Sequence, residues 1–487
     1  MRAAQKPYGL YVALLALALF GYREWITLSQ PIRLFFDEAY YYGWSQSLDW
    51  GYYSKPPVVA WLIRLTTDLF GNAEWALKLA APLLYCLTGG VLYQVGKRLA
   101  SARAGFYSAV IFLTMPLVSF NSLFITTDAP LLFCWASALW LFLRAQATNR
   151  WHFWLMAGLV GGLGLLSKYT FILFPAAFLI YALLSPQGRL ILANPRFWVA
   201  CGLAITLLLP NLWWNYQHDF ISFQHTAEIS KQSESQIELS RLWEFWGTQF
   251  VVFGPIAMLL LLVRLFKPRA IEAGHQEALL WSLFFPIFAV ISIQALTARA
   301  NINWGAPAYV SASLIVGIYL AKLRWKHWFK AAFAINLVLM LAFYHYGSVL
   351  KALDIESKNG NDPYVRIQGW KELADEIQPI FDQYPDAPLL SESRKVLAYF
   401  GYYLEPKQLN GRALNFDDHI KNQYELLYPI ETSPASQHLF VSEHMQAQQL
   451  QRYFESVEEL TKADAVVRSN LTRSVRVFLV SNFKGYN

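Results

Sequence analysis

Charge is what this sequence has least of. Only 15% of its 487 residues are Asp, Glu, Lys or Arg, against about 25% in ordinary soluble domains. A chain this poor in charge and 55% hydrophobic is not a soluble enzyme of standard composition, and it is too apolar to remain disordered. Cysteine is nearly absent too. Cys86, Cys134 and Cys201 all lie inside apolar runs, which leaves neither a disulfide framework nor a thiolate metal cluster. No internal repeat is visible, which weighs against the repeat-built architecture of many transporters. What the chain has in excess is aromatic residues: 19 Trp, 27 Tyr and 34 Phe. That excess suits interfacial belts and lipid-facing packing.

The few charges are unevenly placed. Residues 1–344 hold 25 basic and 14 acidic side chains; residues 345–487 hold 15 basic and 19 acidic in less than half the length. The composition therefore divides into a membrane domain, 1–344, and a small soluble domain, 345–487. The sequence pI near 9.0 comes from the first part, where Lys and Arg orient helices. It implies no nucleic-acid partner.

A hydrocarbon core of about 30 Å needs about 20 apolar residues per crossing. Eleven runs qualify or come close: 8–24, 75–96, 104–120, 126–143, 151–167, 170–185, 197–213, 246–265, 278–296, 304–321 and 327–344. Arg2 and Lys6 precede the first run in the manner of a signal peptide. No small-x-small cleavage site precedes Arg23-Glu24, however, so a retained helix is expected. Alternate loops are basic: Arg2/Lys6, Lys97/Arg98/Arg103, Arg144/Arg150, Arg189/Arg196, Arg264/Lys267/Arg269 and Lys322/Arg324/Lys326/Lys330. The positive-inside rule puts these loops and the amino terminus in the cytoplasm. Eleven crossings then put the tail outside, together with segments 25–74 and 214–245.

Within 25–74, Phe36–Leu48 and Val58–Phe70 have helical spacing and read as helices lying in the outer interface. The tail reads as α/β, with helices at Trp370–Tyr384 and Met445–Phe454 and strands at Pro388–Ser391, His438–Val441 and Val475–Val480. The expected fold is an α-helical polytopic membrane protein of about eleven transmembrane helices carrying a small soluble α/β domain.

Ionisable groups at membrane depth are expensive and each is a functional candidate. Asp37, Glu38, Lys55, Asp128, Lys168, His218, Asp219, His225 and Arg299 all map to outer helix ends or outer loops. Acids and cations on one side suit an anionic phosphate leaving group and a proton acceptor. Ordinary readings stand beside this one. Asp37 and Glu38 also suit a solvated helix start, and Asp128, just before Ala129-Pro130, a plain N-cap. Lys168 suits a snorkelling lysine, Lys55 an exposed loop and Arg299 an interfacial anchor.

The strings Phe36-Asp37-Glu38-Ala39-Tyr40-Tyr41-Tyr42 and Leu48-Asp49-Trp50-Gly51-Tyr52-Tyr53-Ser54-Lys55-Pro56-Pro57 resemble a known signature. It belongs to the polyprenyl-phosphate-sugar-dependent glycosyltransferases of the C-type fold. The resemblance is strongest to the bacterial branch of lipid A aminoarabinose transferases and relatives of protein O-mannosyltransferases. Thr127-Asp128-Ala129-Pro130, Ser167-Lys168-Tyr169-Thr170, Pro210-Asn211, Trp213-Trp214-Asn215 and Asn303-Trp304-Gly305-Ala306-Pro307-Ala308-Tyr309 follow in the family's order. The resemblance implies a catalytic Asp37, a second acid at Asp128 paired with Lys168, and a lysine at Lys55. Glu38, Tyr41, Lys55 and Arg299 are then the substrate-binding candidates. Some aminoarabinose transferases have a glutamate just before that lysine, which helps hold zinc. Here the position is Ser54, which removes the support for a divalent metal and for aminoarabinose specificity.

The implied activity is inverting transfer of a sugar from a polyprenyl (undecaprenyl) phosphate to an envelope acceptor such as lipid A or lipopolysaccharide. It would take place on the periplasmic face of a bacterial inner membrane, by a monomer whose donor is a lipid-linked substrate rather than a cofactor. Two alternatives stay open at this point: a multi-pass transporter or flippase of a lipid-linked or anionic substrate, and a protein O-mannosyltransferase-type enzyme.

Overall fold

The computed structural model describes residues 6–30, 32–231, 237–266, 275–355, 362–417, 419–432, 436–468 and 471–486. Arg2, Lys267 and Arg269 of the basic loops lie outside the described residues.

Each of the eleven apolar runs falls on helix, but they are not equally long. Seven helices are long and apolar enough to cross a membrane: Tyr8–Ser29, Glu74–Leu99, Asp128–Thr148, Pro195–Gln217, Gln276–Thr297, Ala306–Leu323 and Lys326–Tyr344. The run at 246–265 is a broken pair, Leu239–Phe253 and Pro255–Phe266, bent by 113°. Proline lacks the donor that would continue the helix, and Gly254 takes a positive φ of 96° that side chains avoid. The remaining runs form shorter apolar helices, Ala102–Thr114, Trp151–Ser167 and Tyr169–Leu184.

The chain folds as two compact units. The first comprises 1–29, 55–59 and 78–349. Its helices approach closely where glycine allows. A methyl on Gly105 would lie 2.3 Å from the Tyr93 carbonyl oxygen and 2.8 Å from the Lys97 nitrogen. This unit also buries a cation the sequence hid. Arg23, read as the end of the first run, lies inside a helix that continues to Ser29 and is fully buried. Its Nη2 donates to the Leu113 carbonyl at 2.7 Å and its Nε to the Tyr344 hydroxyl at 3.2 Å. That carbonyl belongs to the last turn before Pro116 breaks the helix, so arginine satisfies an acceptor the backbone leaves open.

The second unit comprises 30–54, 60–77 and 350–487. It thus joins most of the first long loop to the tail. Its sheet runs β2(Arg412–Ala413), β1(Leu389–Ser391), β3(Gln437–Ser442), β5(Leu471–Phe483), β4(Phe454–Arg468) across its width. The strand β1 is parallel to β2 and β3, while β5 pairs antiparallel with β3 and β4. Leu390, Leu414, Phe440, Phe454, Phe478 and Val480 form its core. The helix expected at Met445–Phe454 shrinks to Ala447–Leu450, because Phe454 is drawn into that core and starts β4. The first-loop helix Phe36–Gln46 buries Tyr40, Tyr42 and Trp44 against the helix Arg394–Tyr403. Tyr42, for instance, meets Tyr402 edge-on at 5.1 Å. Its aromatics are therefore packed into protein on several sides, which a helix resting one face in lipid would not do.

Candidate active site

Asp128 and Lys168 meet although 40 residues separate them. Asp128 opens the helix Asp128–Thr148, where the exposed amide dipoles favour an anion. The N-cap is Thr127, not Asp128. The carboxylate is therefore not committed to capping and turns elsewhere. Lys168 sits at the break between Trp151–Ser167 and the short turn Tyr169–Ile172, in extended conformation. Its Nζ donates to Asp128 Oδ1 at 2.7 Å, and the Asn303 side-chain amide donates to Oδ2 at 2.6 Å. The lysine side chain is 16% exposed and the carboxylate 2%, so Lys168 faces a buried partner instead of snorkelling to water.

The neighbouring residues are fixed by a second polar network. Tyr169 donates to Asn211 Oδ1 at 3.2 Å, and the Asn215 amide donates to Tyr169 at 3.2 Å and to the Asn211 carbonyl at 3.0 Å. Both asparagines are fully buried. Farther along, Tyr309 donates to Gln249 Oε1 at 2.5 Å, tying down the helix that follows Asn303. Most of these buried polar atoms are paired, although Asn215 Oδ1 has no partner among the described residues; the bonds fix the segments on either side of Lys168 and Asn303. Asn303 stood within a motif of the sequence without a role. Its contact with Asp128 spans 175 residues, beyond any local pattern.

In the second unit, Asp37 lies in the first turn of Phe36–Gln46. Glu38, 1% exposed, accepts from the Phe35 backbone at 2.8 Å and closes that turn. Tyr41 is buried, with its ring 4.8 Å from Trp44. Asp37 itself remains 33% exposed and faces Arg394, with Nη2 3.6 Å from Oδ1. Nothing in the sequence pattern marked Arg394.

Lys55 is half-buried in the bend ahead of Pro56-Pro57. Arg299 is exposed beyond the end of the helix His275–Thr297 and makes no ion pair among the described residues. His218 bonds the Trp214 carbonyl through Nδ1 at 2.8 Å and stacks on that indole at 4.0 Å. Among the described residues no group of three His, Cys, Asp or Glu side chains is placed to hold a metal. With Ser54 buried where a glutamate would be needed, the residues do not fit a zinc site.

A buried ammonium beside a carboxylate can bind and stabilise phosphate charge, and a half-exposed carboxylate can accept a proton. Comparisons with known proteins agree with that chemistry. The family model described as dolichyl-phosphate-mannose-protein mannosyltransferase matches residues 54–214. The lipid A galacturonosyltransferase RgtD of Rhizobium johnstonii is 34% identical over 374 residues, covering 76% of this chain and 77% of that protein. The undecaprenyl phosphate-alpha-4-amino-4-deoxy-L-arabinose arabinosyl transferase of Erwinia tasmaniensis is 26% identical over 50% of this chain and 46% of its own. ArnT from Cupriavidus metallidurans, solved bound to undecaprenyl phosphate, superposes with a TM-score of 0.62 over 97% of this chain and 98% of its own. At 17% identity that likeness speaks for the fold alone. With RgtD at this identity across three quarters of both proteins, the chain belongs to the polyprenyl-phosphate-sugar-dependent glycosyltransferases of the C-type fold.

Proposed function

We propose that this glycosyltransferase moves a sugar, first candidate galacturonate, from an undecaprenyl phosphate carrier to lipid A or another part of lipopolysaccharide. The observation that carries the reading is the Asp128–Lys168–Asn303 cluster in a chain 34% identical to a lipid A galacturonosyltransferase. The enzyme sits in the bacterial inner membrane with eleven crossings, its amino terminus cytoplasmic. The segment 345–487 is a periplasmic α/β domain, and the enzyme works as a monomer without a nucleic-acid partner.

In this mechanism the anomeric carbon–phosphate oxygen bond breaks and its electrons leave with the lipid phosphate. Lys168, oriented by Asp128 and Asn303, meets that developing charge, with Lys55 and Arg299 as further phosphate contacts. Fixed cations in a low-dielectric site stabilise such charge without reorganising. The acceptor hydroxyl attacks from the opposite face, inverting the centre, and its proton passes to Asp37. Tyr41 contacts the sugar, and Glu38 secures the turn that presents Asp37.

The test uses purified protein with undecaprenyl-phosphate-linked sugar and lipid A, read by mass spectrometry of the acceptor. Wild type should add the mass of one sugar, and Asp37→Asn should lose at least about a hundredfold in rate, the usual contribution of a general base. Wild-type turnover by Asp37→Asn would remove the base assignment. A sugar-loaded protein with unmodified lipid A would redirect the acceptor to polypeptide.

A further inference from the structure

We propose that Arg394, from the tail, is a positioning residue for Asp37: a clamped guanidinium that keeps the carboxylate ionised and aimed. The proposal rests on the reading of Asp37 as proton acceptor.

Three parallel strands set Arg394 where it is. As β1 ends at Ser391, the chain turns through Glu392, Ser393 caps the next helix by accepting from Val396 N, and Arg394 is its first residue. The carboxyl ends of parallel strands are where α/β sheets present their working groups. From that edge the guanidinium carbon lies 5.0 Å from the Phe36 ring centre and 5.1 Å from that of Tyr40. Both rings belong to the helix that carries Asp37. Tyr40 is anchored in turn, because its hydroxyl accepts from the Gln423 backbone and its ring lies 5.5 Å from Tyr424. Gln423 also accepts from the Tyr53 backbone at 2.6 Å. The walls of the clamp are held from both sides.

Energetics say what this arrangement is not. Both side chains are about one-third exposed, and such pairs add little to stability. A separation of 3.6 Å also exceeds the roughly 2.7–2.9 Å of a charge-assisted hydrogen bond. Arg394 is therefore poorly explained as a staple. It is well explained as a nearby cation, held by two rings of the helix that carries Asp37, which favours the ionised carboxylate. A lysine would supply charge without the planar group that two rings can grip.

The other titratable groups facing the pair are Tyr40, Tyr41 and Glu38 on the helix of Asp37, Tyr53 from the loop after it, and Tyr399 and Tyr424 from the tail. Burial pushes the Tyr40, Tyr399 and Tyr424 hydroxyls well up, so these three stay neutral wherever a carboxylate titrates. Arg394 is the cation paired with Asp37, while Arg473 acts on Tyr399.

The experiment measures kcat and donor KM against pH for the full-length protein, with undecaprenyl-phosphate sugar and lipid A. Wild type, Arg394→Gln, Arg394→Lys and Asp37→Asn are compared. Losing a cation beside a carboxylate favours its protonated form, so the acid limb of kcat should move to higher pH in Arg394→Gln, by about one unit. The same variant should lose roughly tenfold in kcat at neutral pH, with donor KM little changed. Arg394→Lys, which keeps the charge and serves if the glutamine variant misfolds, should hold the acid limb at its wild-type position. An unmoved limb in Arg394→Gln, or a limb displaced equally in Arg394→Lys, overturns the proposal while leaving Asp37 as base. Full activity in Asp37→Asn overturns both readings together.

Discussion

Removing Lys168 strips a 2%-exposed carboxylate of its counter-ion, and the cost follows from that burial. Breaking a buried ion pair from one side typically costs about 3–5 kcal/mol. Asp128 retains the Asn303 amide at 2.6 Å and its place in the first turn of a helix, where the dipole offsets about 0.3–1 kcal/mol. Lys168→Met should therefore fall near the lower end, about 3 kcal/mol. Asp128→Asn leaves the charge on a side chain 16% exposed, whose flexible stem can carry the ammonium toward water. That should cost less, about 1–2 kcal/mol. Because each single change strands the other partner, the double variant should cost less than the two added together, with a coupling of at least about 1 kcal/mol. Thermal unfolding of the purified variants reads the order, and the transfer assay reads the function. All three should be inactive if Lys168 meets the leaving phosphate. Lys168→Met proving more stable than Asp128→Asn, or strict additivity in the double variant, would refute the buried-pair reasoning whatever the activities.

Two further outcomes follow from other parts of the chain. Gly105→Ala should cost about 1–3 kcal/mol, because the new methyl meets the Tyr93 carbonyl oxygen at 2.3 Å and backbone cannot yield as a side chain does; the yield of monodisperse protein from membranes is the readout. Burial, aided by Arg412, pushes the His438 imidazole down to about 4. The unfolded chain therefore takes up that proton first, and stability is lost as pH falls from about 6.5 toward 4. His438→Leu should flatten this slope in thermal melts across that range.

The sequence was most legible where one physical signal dominated. Long apolar runs marked the approximate place of each long apolar helix, since nothing but hydrocarbon or protein interior accepts 20 such residues. It was less legible where a run is interrupted from within: Met115-Pro116, Gly254-Pro255 and Lys168 each break a helix whose hydropathy is continuous. β4 escaped for the opposite reason. Phe454–Arg468 is an edge strand whose charged residues fall on both faces, as edges that must resist further pairing often are, and alternation is the only signal a short pattern offers. Arg394, Asn303 and Arg23 were out of reach altogether. Each earns its role from a partner between 90 and 357 residues away, and a single sequence records no such distance.

The two aspartates show why environment must assign roles that position along the chain cannot. Both open a helix, both follow aromatic or hydroxylated residues, and both belong to motifs of one family. Yet Asp128 has an oxygen bonded to an ammonium and the other to an amide, with almost no solvent contact. A carboxylate spent in this way holds its neighbours in place, and accepting a proton would cost it both bonds. Asp37 is a third exposed, with a cation at 3.6 Å, a setting that favours the ionised form and keeps the group in touch with solvent. The division proposed here, one acid to orient a phosphate-binding lysine and one to take the acceptor's proton, therefore follows from how each carboxylate is occupied. It also accounts for the tail: a base that must face both solvent and acceptor cannot be buried to hold it still, so its cation has to be fixed by the surroundings, and Phe36, Tyr40 and the start of the Arg394–Tyr403 helix do that.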